Sequence, residues 1–319
     1  MTGVVEAVVG FFERRFLQNA FLPVLLFPPA AAAPVVLENG RLHDLGAAWD
    51  AQSGTLKFLE IAAYLALVWF VAAIVASQWR NLTRLFEGYP LRPIRPLYRS
   101  AVRYHRRQQR MLQSRPRFRS RRYPQNAERF MPTRLGNILR AAEEYPWERY
   151  GAPLIFVWSR LYAVLPTDFA ANIEITRARY EFLLVVSTWC AAFAATSAAL
   201  GVIFDAPPGR VAACFGSGMV FAYVAYVSAL PAAVEYGNRL RAGFDLYRLD
   251  LLERLKLKPP RTLSEEEELW TALDNLLVPQ GTPPKYGSPR EDWQRERMYQ
   301  EAAPPEAVLY VIVSRGHPD

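Results

Sequence analysis

The chain has 319 residues, a formal net charge of +8 and a sequence pI of about 9.6. Its mean hydropathy of −0.02 averages long uncharged apolar runs with strongly charged segments. Residues 79–180 contain 21 arginines, no lysine and 7 acidic residues, so the excess of positive charge belongs to one segment. This uneven distribution excludes a single soluble domain in which polar and apolar residues are evenly mixed.

The N-terminal part of the chain combines an apolar run with a high proline content. Residues 1–15 are predicted to form a short cytoplasmic helix, and residues 16–37 carry no charge. The run has two interpretations, a first membrane span kinked by proline or a signal peptide with small residues at its cleavage site. Both interpretations place residues 38–57 outside the membrane. The prolines of the run are Pro23, Pro28, Pro29 and Pro34.

A second apolar run, residues 58–78, predicts a transmembrane helix, because about 20 apolar residues are needed to cross a bilayer. Trp79 and Arg80 follow it directly, as aromatic and basic residues do at a cytoplasmic interface. Residues 16–78 are therefore predicted to be a first transmembrane pair, joined by the outside loop 38–57.

The arginine-rich region 79–180 is predicted to be cytoplasmic, and residues 96–112 within it to be a basic amphipathic helix. Arginines recur there at spacings of three and four, which places them on one helix face. Topological anchoring with binding to an anionic lipid bilayer is the favoured interpretation. An acidic protein partner is the second, and nucleic acid, stacking on Tyr98, Tyr104, Phe118 and Tyr123, is the least favoured. The candidate binding residues are Arg95, Arg99, Arg103, Arg106 and Arg110.

A second candidate surface follows in residues 131–151. Thr133 is predicted to cap a helix over residues 134–144, which Tyr145-Pro146 is expected to end. The short connection that results is rich in aromatic residues, and conformationally demanding connections often carry function. Gly151 is expected to supply a backbone shape that other residues resist. The candidate partner surface consists of Tyr145, Trp147, Arg149 and Tyr150.

The second half of the region leads into two more apolar runs. Residues 152–165 are too short to span and predict a buried or interfacial helix, and residues 167–180 predict an amphipathic helix that continues into the third span. Residues 181–234 are predicted to be a second transmembrane hairpin. Its helices are expected to pack through small residues at spacings of four, Ala191, Ala195 and Ala199 against Ala212 and Gly216.

Residues 235–319 are predicted to be a cytoplasmic helical tail. A helix is expected over residues 235–257, and Ser264 with Glu267 predicts a capping box that opens a second helix to about Leu277. Residues 307–313 form a short β-branched run that is typical of a strand.

Few residues of this chain match a catalytic or cofactor site. Topology separates His43 from His105 and His317, which excludes a histidine-cluster metal site, and the sequence contains no phosphate-binding glycine loop. The two cysteines, Cys190 and Cys214, are expected to be free thiols inside spans. A cluster of Glu143, Glu144 and Glu148 is more simply explained by neighbouring arginines than by acid–base chemistry. No cofactor and no metal are therefore predicted.

One segment also carries a resemblance. It contains the runs Pro132-Thr133-Arg134-Leu135-Gly136-Asn137, Glu144-Tyr145-Pro146 and Arg149-Tyr150-Gly151, followed by Trp158 and Arg160. In these runs the chain resembles a group of bacterial multi-pass membrane proteins frequent in high-GC actinobacteria, over about residues 10–275. The resemblance implies two spans, a basic cytoplasmic loop and two more spans, and it brings no activity with it.

The sequence thus predicts an all-α integral membrane protein of the inner (plasma) membrane, with about four transmembrane helices, both termini cytoplasmic and a helical cytoplasmic region. The favoured function is a non-enzymatic scaffold or sensor that engages an unknown cytoplasmic protein and anionic lipid, as a monomer or a homo-oligomer. A subunit of an oligomeric channel or transporter is the alternative. A membrane-embedded enzyme acting on lipid is the third hypothesis, and it depends only on the glutamate cluster.

Overall fold

The computed structural model describes residues 16–36, 41–112, 114 and 120–277. These residues form helices, turns and loops, with no strand among them. The predicted N-terminal helix 1–15 and the strand-like run 307–313 lie outside the described residues. A π-helical turn, Leu17–Phe21, precedes the first α-helix. The α-helices are α1 Leu22–Val36, α2 Arg41–Asp50, α3 Gly54–Ser77, α4 Trp79–Glu87, α5 Arg95–Met111, α6 Arg134–Tyr150, α7 Leu154–Val164, α8 Thr167–Ile203, α9 Pro208–Arg254 and α10 Leu263–Leu277.

Three of these helices, α3, α8 and α9, are long and apolar enough to cross a membrane. Their most apolar windows have mean hydropathies of 2.3, 1.8 and 1.6. Only 11%, 28% and 17% of the residues in these windows are buried inside the protein. Because so much apolar surface faces outward, a lipid environment accounts for these helices better than water does. The all-helical class and the membrane character of the chain agree with the sequence prediction.

The first predicted span is a shorter element than the other three. Helix α1 has 15 residues, fewer than a helix perpendicular to a bilayer needs. Its Val24 packs with Ala20, Val68 and Ala72 in one buried cluster. The Tyr64 hydroxyl donates a 2.6 Å hydrogen bond to the Leu25 carbonyl, which Pro29, lacking an N–H, leaves without its helical donor. A neighbouring helix thus stabilises the backbone that proline interrupts.

The chain divides into two compact units. Unit 1 comprises residues 1–141 and 172–237, and unit 2 comprises residues 142–171 and 238–319. In unit 1 a buried core joins α6, α8 and α9 through Leu135, Ile138, Leu139, Tyr180, Leu184, Ala229, Leu230 and Ala233. In unit 2 a second buried group is centred on Phe244 and Trp270, whose rings lie 5.7 Å apart between centroids.

Three of the five residues predicted to form the packing stripe of the α8–α9 hairpin are exposed, and Ala191 and Gly216 are half-buried. Ala195, Ala199 and Ala212 are exposed, whereas Ala194 is fully buried and lies against Gly218. Farther from the turn, the Ser187 hydroxyl donates to the Ala222 carbonyl at 2.8 Å and so joins the two helices. A contact face on a straight helix advances by alternating steps of three and four, so a strict spacing of four drifts off it. Both cysteines are free, as predicted.

Helix α6 begins as predicted and ends later than predicted. The Thr133 hydroxyl accepts a hydrogen bond from the Gly136 amide at 3.0 Å, which confirms the cap. The helix then continues through Pro146 to Tyr150, so the prediction that Tyr145-Pro146 ends it is wrong. Gly151, at a φ of +69°, ends the helix by donating its amide to the Trp147 carbonyl. The expected need for glycine at this position is confirmed.

Helix α10 has a different cap from the predicted one. The Thr262 hydroxyl, not that of Ser264, accepts from the Glu265 amide at 3.2 Å. The Glu265 carboxylate reaches back and accepts from the Arg261 amide at 2.7 Å. The helix therefore begins at Leu263, two residues earlier than a cap at Ser264 allows. The pattern Thr262-x-x-Glu265 has the sequence of a capping box, with the Glu265 carboxylate bonded to the amide that precedes the cap residue.

Candidate functional site

The basic helix α5 is the first candidate site, and its observed bounds agree with the prediction to within one residue. All five candidate arginines are exposed: Arg95, Arg99, Arg103, Arg106 and Arg110. Two of them donate hydrogen bonds to uncharged groups. Arg106 donates to the Ala127 carbonyl at 3.0 Å, and Arg103 donates to the Ser100 hydroxyl at 3.2 Å. These guanidinium groups keep their charge directed to the surroundings.

The opposite face of α5 fixes the helix in unit 1. Val102 packs with Tyr123 and Phe130 in a buried cluster, and the last two rings stack at 5.6 Å. The Tyr98 hydroxyl donates to the Phe130 carbonyl at 3.4 Å. Tyr123 is only 8% exposed, so its ring face is already occupied by protein. Phe118, another predicted base-stacking residue, lies outside the described residues.

His105 is a buried polar residue on this inner face, with 4% of its surface exposed. Its Nδ1 lies 3.4 Å from the Tyr123 hydroxyl. Burial and, to a smaller extent, the positive charge of Arg134 lower the pKa of His105. The imidazole is therefore neutral at pH 7 beneath a strongly positive helix face.

The second candidate site is a polar network in unit 2 around Asp245 of α9. Its carboxylate accepts hydrogen bonds from the hydroxyl of Tyr145 at 3.0 and 3.1 Å and from that of Tyr150 at 2.9 Å. Because α6 continues through Pro146, residues 145 and 150 lie in the same last stretch of one helix. The two hydroxyls therefore converge on one acceptor from a distance of about 100 residues along the chain.

Arg248 extends this network from α9 to α10. Its Nε donates to the Glu266 carboxylate at 2.7 Å, and its guanidinium lies 4.3 Å from the centre of the Tyr150 ring. The same Glu266 oxygen accepts from the Trp270 indole at 3.2 Å. Arg248 also donates to the Asp245 carbonyl. The positive charge is thus matched by a carboxylate with 7% of its side chain exposed and by an aromatic face.

The four residues of the predicted partner surface divide into two pairs. Tyr145 and Tyr150 point into the network, and burial together with the hydrogen bond to Asp245 raises the pKa of both above the ordinary tyrosine value. Both therefore stay protonated at neutral pH and act as donors, not as bases. Trp147 and Arg149 are exposed, Trp147 to 49%. The outward pair is the part that a partner can reach.

The three glutamates behind the enzyme hypothesis lie on α6 and differ in exposure. Glu144 is 6% exposed, whereas Glu143 is exposed and Glu148 is half-buried. Within the described ranges, no group of three or more histidine, cysteine or acidic side chains is arranged to hold a metal ion. Glu144 and Glu148 are four residues apart and lie on one face of α6, whereas Glu143 lies on another.

Sequence reasoning missed the acceptor Asp245 and the pair formed by Arg248 and Glu266. Asp245 lies four residues after Arg241 and three before Arg248 on one predicted helix. These spacings indicate ion pairs with the two arginines, and nothing in them indicates hydrogen bonds from tyrosines elsewhere in the chain. Only Glu266 and Trp270, four residues apart on α10, carried a local signal. No family model, no curated protein and no solved structure matches the chain.

Proposed function

We propose that this chain is a four-span integral protein of the plasma membrane with both termini in the cytoplasm. It acts as a non-enzymatic scaffold or sensor that holds a cytoplasmic partner protein against an anionic lipid surface. The observation that carries the proposal is the exposed arginine row on α5, held outward by a buried face that is packed on Tyr123 and Phe130.

The position of the arginine row supports a membrane role. Helix α5 begins 18 residues after α3 ends, with the amphipathic helix α4 between them. Arg84 and Arg92 both lie over the Tyr89 ring, at 5.9 and 4.3 Å from its centre. Basic clusters directly cytoplasmic of a span attract anionic lipid by about 1 kcal/mol for each residue near the surface.

The packing of α1 on α3 supports a first span over a cleaved signal peptide. Cleavage of a signal peptide here would remove Ala20 and Val24 from the buried cluster that they form with Val68 and Ala72. The Tyr64 hydroxyl would also lose its hydrogen-bond acceptor, the Leu25 carbonyl. The arginine excess of residues 79–180 sets the orientation, because basic segments stay on the cytoplasmic side.

The orientation is tested with reporters in the full chain. A reporter fused after Asp319 is expected to be active in the cytoplasm, and one inserted beside Gly46 is expected to be active outside. A C-terminal reporter that is active outside overturns the orientation.

The lipid role is tested on full-length protein extracted with its surrounding lipid into polymer discs. Wild-type protein is expected to enrich anionic lipid, and a variant with all five arginines changed to glutamine is expected to lose the enrichment. The matched control changes the same five residues to lysine, which retains the charge and should retain the enrichment. Equal anionic lipid in all three proteins contradicts an electrostatic role.

A further inference from the structure

Helix α5 carries an exposed, mostly apolar stripe that is separate from its arginine row. Leu97, Tyr104 and Met111 recur every seven residues and are each 47% to 67% exposed. Seven residues are close to two helical turns, so the three side chains lie on one face. Ala101 and Gln108 lie between them, are half-buried and complete a spacing of alternating four and three. These five residues, the heptad stripe, have the pattern with which one helix packs against another.

The heptad stripe and the arginine row point in different directions. At 3.6 residues per turn, the five arginines of the row lie about 100–180° around α5 from Tyr104. The buried Val102 and His105 lie about 100–160° from Tyr104 in the other direction. When the arginine row lies on a lipid surface, the heptad stripe is therefore directed away from the lipid.

Gln108 is the polar member of the heptad stripe. Its side-chain amide donates to the Tyr104 hydroxyl at 3.2 Å, which fixes the two side chains against each other. A single polar residue in a heptad seam specifies the register of the helix that packs on it. From Leu97 to Met111 the stripe is about 21 Å long, which matches a partner helix of about four turns.

The charges of α5 determine which helix fits the heptad stripe. Helix α5 contains six arginines and no acidic residue, so a second copy of the same helix would be repelled. Arg107 is exposed and lies about 60° around the helix from Tyr104, on the side away from the buried face. Carboxylates beside the apolar positions of a partner helix would lie close to this guanidinium. Complementary charge therefore favours an acidic helix over a second copy of the chain.

We propose that the heptad stripe of α5 binds one amphipathic helix of an acidic cytoplasmic protein, with apolar residues at spacings of three and four and carboxylates beside them. The inference deepens the proposed function, because it names the surface and the class of the partner, and it rests on the assignment of the arginine row to lipid. The heptad stripe lies in unit 1, whereas the exposed pair Trp147 and Arg149 lies in unit 2.

The test uses the full-length protein in lipid nanodiscs and a dye-labelled synthetic helix about 18 residues long, which covers the stripe. The peptide has leucines at spacings of three and four and glutamates beside them, and fluorescence anisotropy measures its affinity. Wild-type protein is expected to bind it, and the double variant Leu97→Gln with Met111→Gln to bind at least about tenfold more weakly, because two apolar side chains lose their burial. Leu246→Gln, at a leucine of α9 that is 64% exposed, is the matched control and should keep the wild-type affinity.

Two control peptides separate packing from charge attraction. A peptide of the same composition with its leucines rearranged off the heptad positions should not bind. A peptide with lysines in place of the glutamates should bind at least about tenfold more weakly, because Arg107 repels it. Equal affinity of the wild type and the double variant overturns the proposal, as does equal binding of the designed and the rearranged peptides.

Two further arms test the other occupants of the stripe. A polarity-sensitive dye on Met111→Cys, in a chain that also carries Cys190→Ala and Cys214→Ala, is expected to report water before the peptide is added and an apolar environment afterwards. An apolar environment before the peptide is added would place the stripe in lipid and overturn the proposal. Peptide binding that appears only after removal of residues 278–319 would assign the stripe to the chain's own tail and also overturn it.

The lipid role is measured separately by the anionic lipid enrichment of the wild type and the five-arginine variant. Stripe-dependent peptide binding without lipid enrichment supports the docking surface and contradicts the lipid part of the proposed function. Lipid enrichment without peptide binding overturns the docking surface and leaves the lipid role standing.

Discussion

Arg106 on α5 and Arg248 on α9 carry the same guanidinium group among very different neighbours. Arg106 is exposed and donates to a backbone carbonyl, that of Ala127. Arg248 pairs with the Glu266 carboxylate and covers the ring of Tyr150. A guanidinium that is matched by a carboxylate and a ring stabilises its own fold, whereas one with uncharged neighbours stays able to attract an external anion.

The same contrast applies to the aromatic residues of α6. Tyr145 and Tyr150 are turned toward Asp245, whereas Trp147 between them is half exposed. One helix turn therefore contains both an internal anchor and an accessible surface. Substitutions of the inward-facing residues should lower stability, whereas substitutions of the exposed residues should change binding.

The largest effect is expected for Asp245→Ala, which removes the acceptor of two tyrosine hydroxyls. Leaving a part-buried donor without a partner costs about 1–3 kcal/mol, so we expect unit 2 to lose about 2–3 kcal/mol of stability. Thermal unfolding followed by tryptophan fluorescence measures it, because Trp270 lies in the same unit. Asp250→Ala, an exposed aspartate on the same helix, is the control. Equal Tm values for both variants would show that the network is not stabilising.

A smaller loss is expected for Gly151→Ala. The residue has a φ of +69°, and an added Cβ would lie 2.6 Å from Cγ of Glu267 on α10. The left-handed backbone and the displaced side chain together should cost about 1–2 kcal/mol. Gly46→Ala, at a helical site with open space around it, should be neutral or slightly stabilising. A neutral Gly151→Ala would mean that α10 does not need its contact with the end of α6.

Trp147→Ala and Arg149→Ala should change stability by only about 0.5 kcal/mol, as exposed sites do. If the outward side of α6 is the partner surface, recovery of the partner in pull-downs should fall in both variants at normal protein level. Tyr145→Phe is the opposite control, because it removes a hydroxyl from the network and keeps both Trp147 and Arg149. A fall in stability with unchanged partner recovery in Trp147→Ala would make this segment purely structural.

Local signals were sufficient for most of the helices and insufficient for the site. Charge-free runs predicted α3, α8 and α9, and arginine spacing predicted α5, because length and periodicity are properties of neighbouring residues. The hydrogen bonds between Tyr145 and Asp245 join residues 100 positions apart. No local pattern encodes that pairing, although it anchors the last turn of α6 beyond Pro146.

The acid sensitivity of His105 is expected to be the smallest of these effects. Burial lowers its pKa in the folded protein, so the unfolded chain binds the proton more tightly. The stability contributed by the neutral, buried imidazole is therefore fully present above the unfolded pKa of about 6.5 and is lost as the pH falls below it. The positive charge of the protonated imidazole would appear beside Arg134 and against Tyr123, on the inner face of α5.

The measurement is the Tm between pH 7.5 and 5.5. It should fall less in His105→Gln than in the wild type, while His43→Gln, at an exposed site on α2, should keep the wild-type dependence of Tm on pH. Identical profiles for His105→Gln and the wild type would show that the buried imidazole does not couple the packing of α5 to pH.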